Sequence, residues 1–107
     1  MKQFDIVLVE FPFSDLIQSK LRPALIISVP GGDNYILCQI TTKKRNVQTY
    51  EIPLFRSSCQ GDIRFDSHIY VDMIFTIHKD IIHKSIGKIK DMNTIKKVKY
   101  KILSLFR

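Results

Sequence analysis

Apolar residues along the chain gather in short, dense runs separated by polar clusters, at intervals too close for long helices. The densest is Leu21-Arg22-Pro23-Ala24-Leu25-Ile26-Ile27-Ser28-Val29-Pro30. Partly β-branched, punctuated by prolines and too short for a membrane span, it predicts a buried strand. Upstream, FDIVLVE from Phe4 to Glu10 is apolar in its middle and predicts a strand covered on both sides. Pro12 ends that strand, and the polar stretch to Lys20 reads as a loop able to lie as a lid over whatever Arg22 touches. Pro30-Gly31-Gly32-Asp33-Asn34 then supplies residues that preset a turn or accept positive φ, which predicts a hairpin into a strand over Tyr35–Thr42. Along that arm Ile36, Cys38 and Ile40 share one face, and Leu37, Gln39 and Thr41 the other. Hairpin arms run antiparallel, so the end of the second returns to the start of the first. Thr41 or Thr42 is therefore expected beside Arg22.

Lys43-Lys44-Arg45-Asn46 is a basic connection, and Thr49–Leu54 alternates as a further strand. FRSSCQGDIRFD, from Phe55 to Asp66, reads as an irregular loop with room for one helical turn. His68–Met73 predicts a strand with Ile69, Val71 and Met73 inward and His68, Tyr70 and Asp72 on the opposite face, continued or restarted over Ile74–Ile77. At the C-terminus Asp91 is placed to cap a helix whose stripe Met92, Ile95, Val98, Ile102 and Leu105 packs on the sheet, with Lys97 and Lys101 across from it. The pattern is a mainly β fold with one amphipathic helix, and 107 residues suffice for a single domain over 1–107.

Charge narrows the partners. Seventeen Lys and Arg against ten Asp and Glu give a formal +7, which favours polyanions such as nucleic acid or acidic protein segments. Cys38 and Cys59 fit neither a disulfide framework nor a zinc site and read as reduced thiols of a cytoplasmic protein, with no metal expected. Asp5 and Glu10 interrupt the apolar stretch near the start, so neither a signal peptide nor a membrane partner is expected. Arg22 stays charged at any ordinary pH, and Pro23 holds it extended, so the strand mouth carries a rigidly aimed cation. Either a carboxylate of its own chain neutralises it, or it is an anion site. A charge run such as Lys43-Lys44-Arg45 is ordinarily a solvated turn, yet beside an arginine site it is a candidate phosphate contact together with Lys20 and Thr42. His68, Tyr70 and Asp72 suit either proton chemistry or the solvent face of a half-exposed strand. His78 and His83, in a lysine-rich stretch, read as surface residues.

In order, Asp5-Ile6-Val7, Arg22-Pro23-Ala24-Leu25-Ile26-Ile27-Ser28, Gln39-Ile40-Thr41-Thr42, Asp66-Ser67, Thr76-Ile77-His78-Lys79 and Ile86-Gly87-Lys88 resemble the PemK/MazF family of toxins from bacterial toxin-antitoxin modules. The resemblance implies a small SH3-like, bent β-barrel with a C-terminal helix, usually a homodimer. It also implies a metal-independent, cofactor-free endoribonuclease that cuts single-stranded mRNA at short sequences through attack of the ribose 2′-OH on the adjacent phosphorus. Arg22 matches the family's catalytic arginine and Thr41 its catalytic threonine. Asp72 matches an aspartate used in the Kid-like branch, while Tyr70 stands where that branch has an arginine. Phe4 replaces a usual glycine and Phe75 a common arginine. The expected partners are single-stranded RNA and a cognate antitoxin with an acidic, disordered segment, with DNA met only through a toxin-antitoxin complex. The alternative is a non-enzymatic, CcdB-like toxin or nucleic-acid-binding module on the same barrel, although the Trp-Gly-Ile tail of that relative is replaced by Leu105-Phe106-Arg107.

Overall fold

Each of the apolar runs becomes a strand. In the computed structural model, which describes residues 1–11, 20–43 and 48–107, β1 (Asp5–Phe11), β2 (Lys20–Ser28), β3 (Asn34–Thr41), β4 (Glu51–Leu54), β5 (Cys59–Gly61), β6 (Ser67–His78) and β7 (Ile82–Ile89) precede one helix, α1 (Met92–Leu105). The strands form a single seven-stranded sheet in the order β4-β6-β3-β2-β1-β7-β5, antiparallel throughout. This bears out the mainly β fold with a C-terminal helix.

The connectivity forces the sheet to curl. β4 and β5 lie at opposite edges, and in a flat sheet seven strands would hold them about 29 Å apart. Only Phe55–Ser58 lie between them, a link reaching at most about 18 Å. The edges must therefore approach, and Leu54 of β4 and Cys59 of β5 do join one buried cluster with Leu25, Ile40, Ile69 and Val71. Val98 of α1 completes that cluster. Alternate residues of β2, Ala24 and Ile26, point the other way into a second cluster with Val7, Val9, Leu37 and Ile82. Burial on both faces is why β1 and β2 read as nearly continuous apolar runs.

The helix begins where the sequence places it. The Asp91 carboxylate accepts from the Thr94 backbone N–H at 3.1 Å and from the Thr94 hydroxyl at 2.6 Å. Its packed stripe centres on Thr94, Ile95, Val98 and Ile102, whereas Met92, expected in the stripe, is 60% exposed because it sits in the first turn ahead of the contact.

Two further expectations are corrected. Gln39 of β3 lies opposite Tyr70 of β6, but the preceding Cys38 lies opposite Ile74, so Val71, Asp72 and Met73 form a bulge. A bulge resets which face each later side chain takes. Met73, expected inward, is therefore exposed. Tyr70, expected on a solvent face, precedes the bulge and is nonetheless buried, its hydroxyl meeting the Lys43 carbonyl. The other correction is β5, a three-residue strand in a segment that reads as loop. It exists because the β7 edge offers it a ladder, pairing Cys59 with Ile89 and Gly61 with Gly87. Among the described residues no helix is long and apolar enough to cross a membrane.

Candidate active site

The hairpin delivers its two ends together. β2 and β3 pair Ala24 with Gln39, two residues along the chain from Arg22 on one strand and from Thr41 on the other. Both line a groove of about 680 Å³. β2 contributes Leu21, Arg22 and Pro23 to one wall, and the end of β3 contributes Ile40, Thr41, Thr42 and Lys43. The facing wall is the segment between β5 and β6, with Asp62, Ile63, Arg64 and Phe65, and β7 adds Lys84 and Ile86.

Arg22 is half-buried, so its stem is held while its head reaches the groove. Among the described residues no carboxylate lies within ion-pair distance of it. The turn after Thr41 is fastened at two points. The Thr41 hydroxyl accepts from the Lys43 backbone N–H at 3.2 Å, and the Tyr70 hydroxyl donates to the Lys43 carbonyl. Thr41 is thereby positioned by its own turn, and that turn by a buried tyrosine. Among the described lining residues the groove shows four cations, Arg22, Lys43, Arg64 and Lys84, against one carboxylate, Asp62. A concave surface of that sign concentrates anions.

Of the residues singled out from sequence, Arg22, Thr41, Thr42 and Lys43 share this groove. Tyr70 and Asp72 do not line it among the described residues; Tyr70 stands behind Lys43, and Asp72 lies half-buried in the β6 bulge. Lys44, Arg45 and the side chain of Lys20 lie outside the described residues, as does the loop expected to act as a lid. Sequence reading missed Arg64, Phe65 and Lys84. The available signal was an arginine-aromatic pair in a polar loop of a basic chain, a combination suited to nucleic acid.

The thiols offer no nucleophile here. Burial pushes Cys38 up from 9.0 to about 12, and burial also raises Cys59, with Asp66 adding to the rise and Lys90 opposing it. Neither is a thiolate near neutrality. Among the described residues no three His, Cys, Asp or Glu side chains are grouped as a metal ion requires.

Known proteins share this architecture. The Mycobacterium tuberculosis toxin MazF-mt6 superposes with a TM-score of 0.73 at 22% identity, over 95% of each chain. A MazE-MazF structure from Deinococcus radiodurans gives 0.74 at 14% identity, over 99% of this chain and 94% of that one. An endoribonuclease from a mycobacterial species, in complex with its cognate antitoxin, gives 0.71 at 18%, over 98% and 96%. No curated protein matches the chain by sequence. The model of one family, described as the PemK-like, MazF-like toxin of type II toxin-antitoxin systems, matches residues 2–106. With nearly every residue inside that match, the chain belongs to the PemK-like, MazF-like toxin family.

Proposed function

We propose that this toxin is a metal-independent endoribonuclease acting on single-stranded RNA at the Arg22–Thr41 groove. The observation that carries the reading is that Arg22 and Thr41, near the ends of adjacent strands, line one groove rich in cations. Endoribonuclease structures with the same fold add to it.

The ribose 2′-oxygen attacks the adjacent phosphorus as the bond to the 5′-oxygen breaks. The 2′-hydroxyl gives up its proton, the 5′-oxygen takes one up, and the products are a 2′,3′-cyclic phosphate and a 5′-hydroxyl. Negative charge grows on the non-bridging oxygens, where the forked donors of Arg22 make two directed, charge-assisted hydrogen bonds. The Thr41 hydroxyl adds a third donor, its own acceptor side being used by the Lys43 N–H. Arginine does not release a proton near neutrality, so Arg22 stabilises charge and is not the base. Tyr70 acts from behind the groove by holding the Lys43 turn. Lys20, Thr42, Lys43, Lys44 and Arg45 hold phosphates along the strand.

The protein works in the cytoplasm as a homodimer, and an acidic antitoxin segment competes with RNA for the cationic groove. Structures of relatives with their antitoxins support such a partner.

The test is cleavage of a long single-stranded RNA in excess chelator. Discrete products ending in cyclic phosphate are expected from the wild type, and Arg22→Ala should lower the rate about 100- to 1,000-fold, the cost of removing one preorganised donor to a developing oxyanion. Intact RNA from folded wild-type protein, or cleavage indifferent to Arg22, refutes the assignment.

A further inference from the structure

The groove wall facing Arg22 is built more firmly than a loop of its composition requires. The Asp62 N–H donates to the Ile86 carbonyl at 2.8 Å, tying the start of the segment to β7. Arg56 then clasps its middle and end, with Nε donating to the Ile63 carbonyl at 3.0 Å and its backbone N–H to the Asp66 carboxylate at 2.9 Å. The Ser67 hydroxyl donates to the Phe65 carbonyl at 3.3 Å. Held by these bonds, Phe65 is 67% exposed and belongs to neither buried cluster.

A single exposed aromatic needs no explanation by itself. This one lies on the rim of an anion-attracting groove and has a cation beside it in Arg64, whose exposed contact with Asp62 spans 3.5 Å and commits it weakly. β7 supplies a second cation, Lys84, with β1 lying between it and Pro23. Leu8 of β1 pairs with Pro23 on one side and Lys84 on the other, placing Lys84 on the Pro23 face about 10 Å away. An exposed aromatic that shares a groove with Arg64 and Lys84 is the combination that grips unpaired nucleic acid.

We propose that Phe65 is a stacking platform for one unpaired base of the RNA, with Arg64 and Lys84 holding the phosphates that flank it. This rests on the nuclease reading and adds residues to it. Preorganisation by Arg56 means little ordering is left to do when the base arrives.

The chain has no tryptophan, so Phe65→Trp installs a unique reporter at the platform. With RNA methylated at every 2′-oxygen, which cannot cleave itself, Phe65→Trp should bind as the wild type does, and its fluorescence should be quenched. Inorganic polyphosphate, which has charge but no bases, should leave it unquenched. Phe65→Ala should weaken single-stranded binding about tenfold with the salt dependence unchanged. Arg64→Gln and Lys84→Gln should each flatten the log–log salt slope by about 0.7. Equal RNA affinity for Phe65→Ala and wild type overturns the platform, as does loss of an acidic antitoxin peptide with RNA binding intact. Unmodified RNA measured in parallel separates the two claims. Cleavage without dependence on Phe65 removes the platform and leaves the nuclease, while Phe65-dependent binding without cleavage does the reverse.

Discussion

Replacing Gly87 by alanine tests how β5, and with it the wall bearing Arg64 and Phe65, is held. A Cβ on Gly87 would lie 2.4 Å from the Gln60 carbonyl oxygen, a backbone atom with no rotamer to escape into. The edge strand must move away at its far end, where β5 is held by the ladder from Cys59↔Ile89 to Gly61↔Gly87 and the adjoining Asp62–Ile86 bond. Overpacking at a tight site costs about 1–3 kcal/mol, and losing one or two backbone hydrogen bonds adds about 0.5–1.5 kcal/mol each. The stiffer unfolded chain returns about 0.4–1 kcal/mol, leaving a net loss of about 2–4 kcal/mol. For a chain of this size that lowers Tm by about 10–20 °C. Two other glycines separate steric from dihedral effects. Gly32 has φ +74° with nothing within 4 Å of an added Cβ, so Gly32→Ala carries only the left-handed penalty of about 1–2 kcal/mol. Gly61 has φ +114° and places a Cβ 2.5 Å from Gly87 Cα, combining both. Urea and thermal unfolding followed by circular dichroism should rank the losses Gly61→Ala, then Gly87→Ala, then Gly32→Ala. A Gly87→Ala protein within about 0.5 kcal/mol of wild type would refute the close approach of β5 and β7.

Phe4 stands at φ +71°, is 8% exposed and has the Lys99 ammonium 5.6 Å from its ring centroid. Phe4→Ala should cost about 3–5 kcal/mol in lost packing. Phe4→Gly removes the same ring but frees the left-handed backbone, and should be the more stable of the two by about 1 kcal/mol; the opposite order in matched urea melts would contradict this. Cys38 makes alkaline stability pH-dependent. Its folded thiol keeps the proton to about pH 12, so its contribution is complete below the unfolded thiol's value and is lost as pH rises from there toward the folded one, at about 1.4 kcal/mol per unit. Cys38→Ala should be less stable at neutral pH yet show a flatter decline above about pH 9, and equal alkaline slopes would count against the buried thiol.

Hydrophobic pattern and turn chemistry are local, and what they control was legible in the sequence. The Arg22 strand, the hairpin at Gly31-Gly32, the return of the Thr41 end to the groove that Arg22 lines and the Asp91 cap all follow from side-chain alternation, backbone permission and antiparallel return within a few residues. The β6 bulge was not legible, because skipping Val71–Met73 is decided by what β3 offers as partner, and its effect was to expose Met73; nor was the burial of Tyr70, which depends on the Lys43 turn its hydroxyl meets. The short link between β4 and β5 was visible as sequence, but its consequence depended on those strands lying at opposite edges. Only the curled sheet brings residues 62–65 into the groove that Arg22 lines. Local sequence thus determined which strands form and which strand ends return to one another, while long-range closure decided what else lines the groove, because a groove wall is set by strand order and not by the residues that line it.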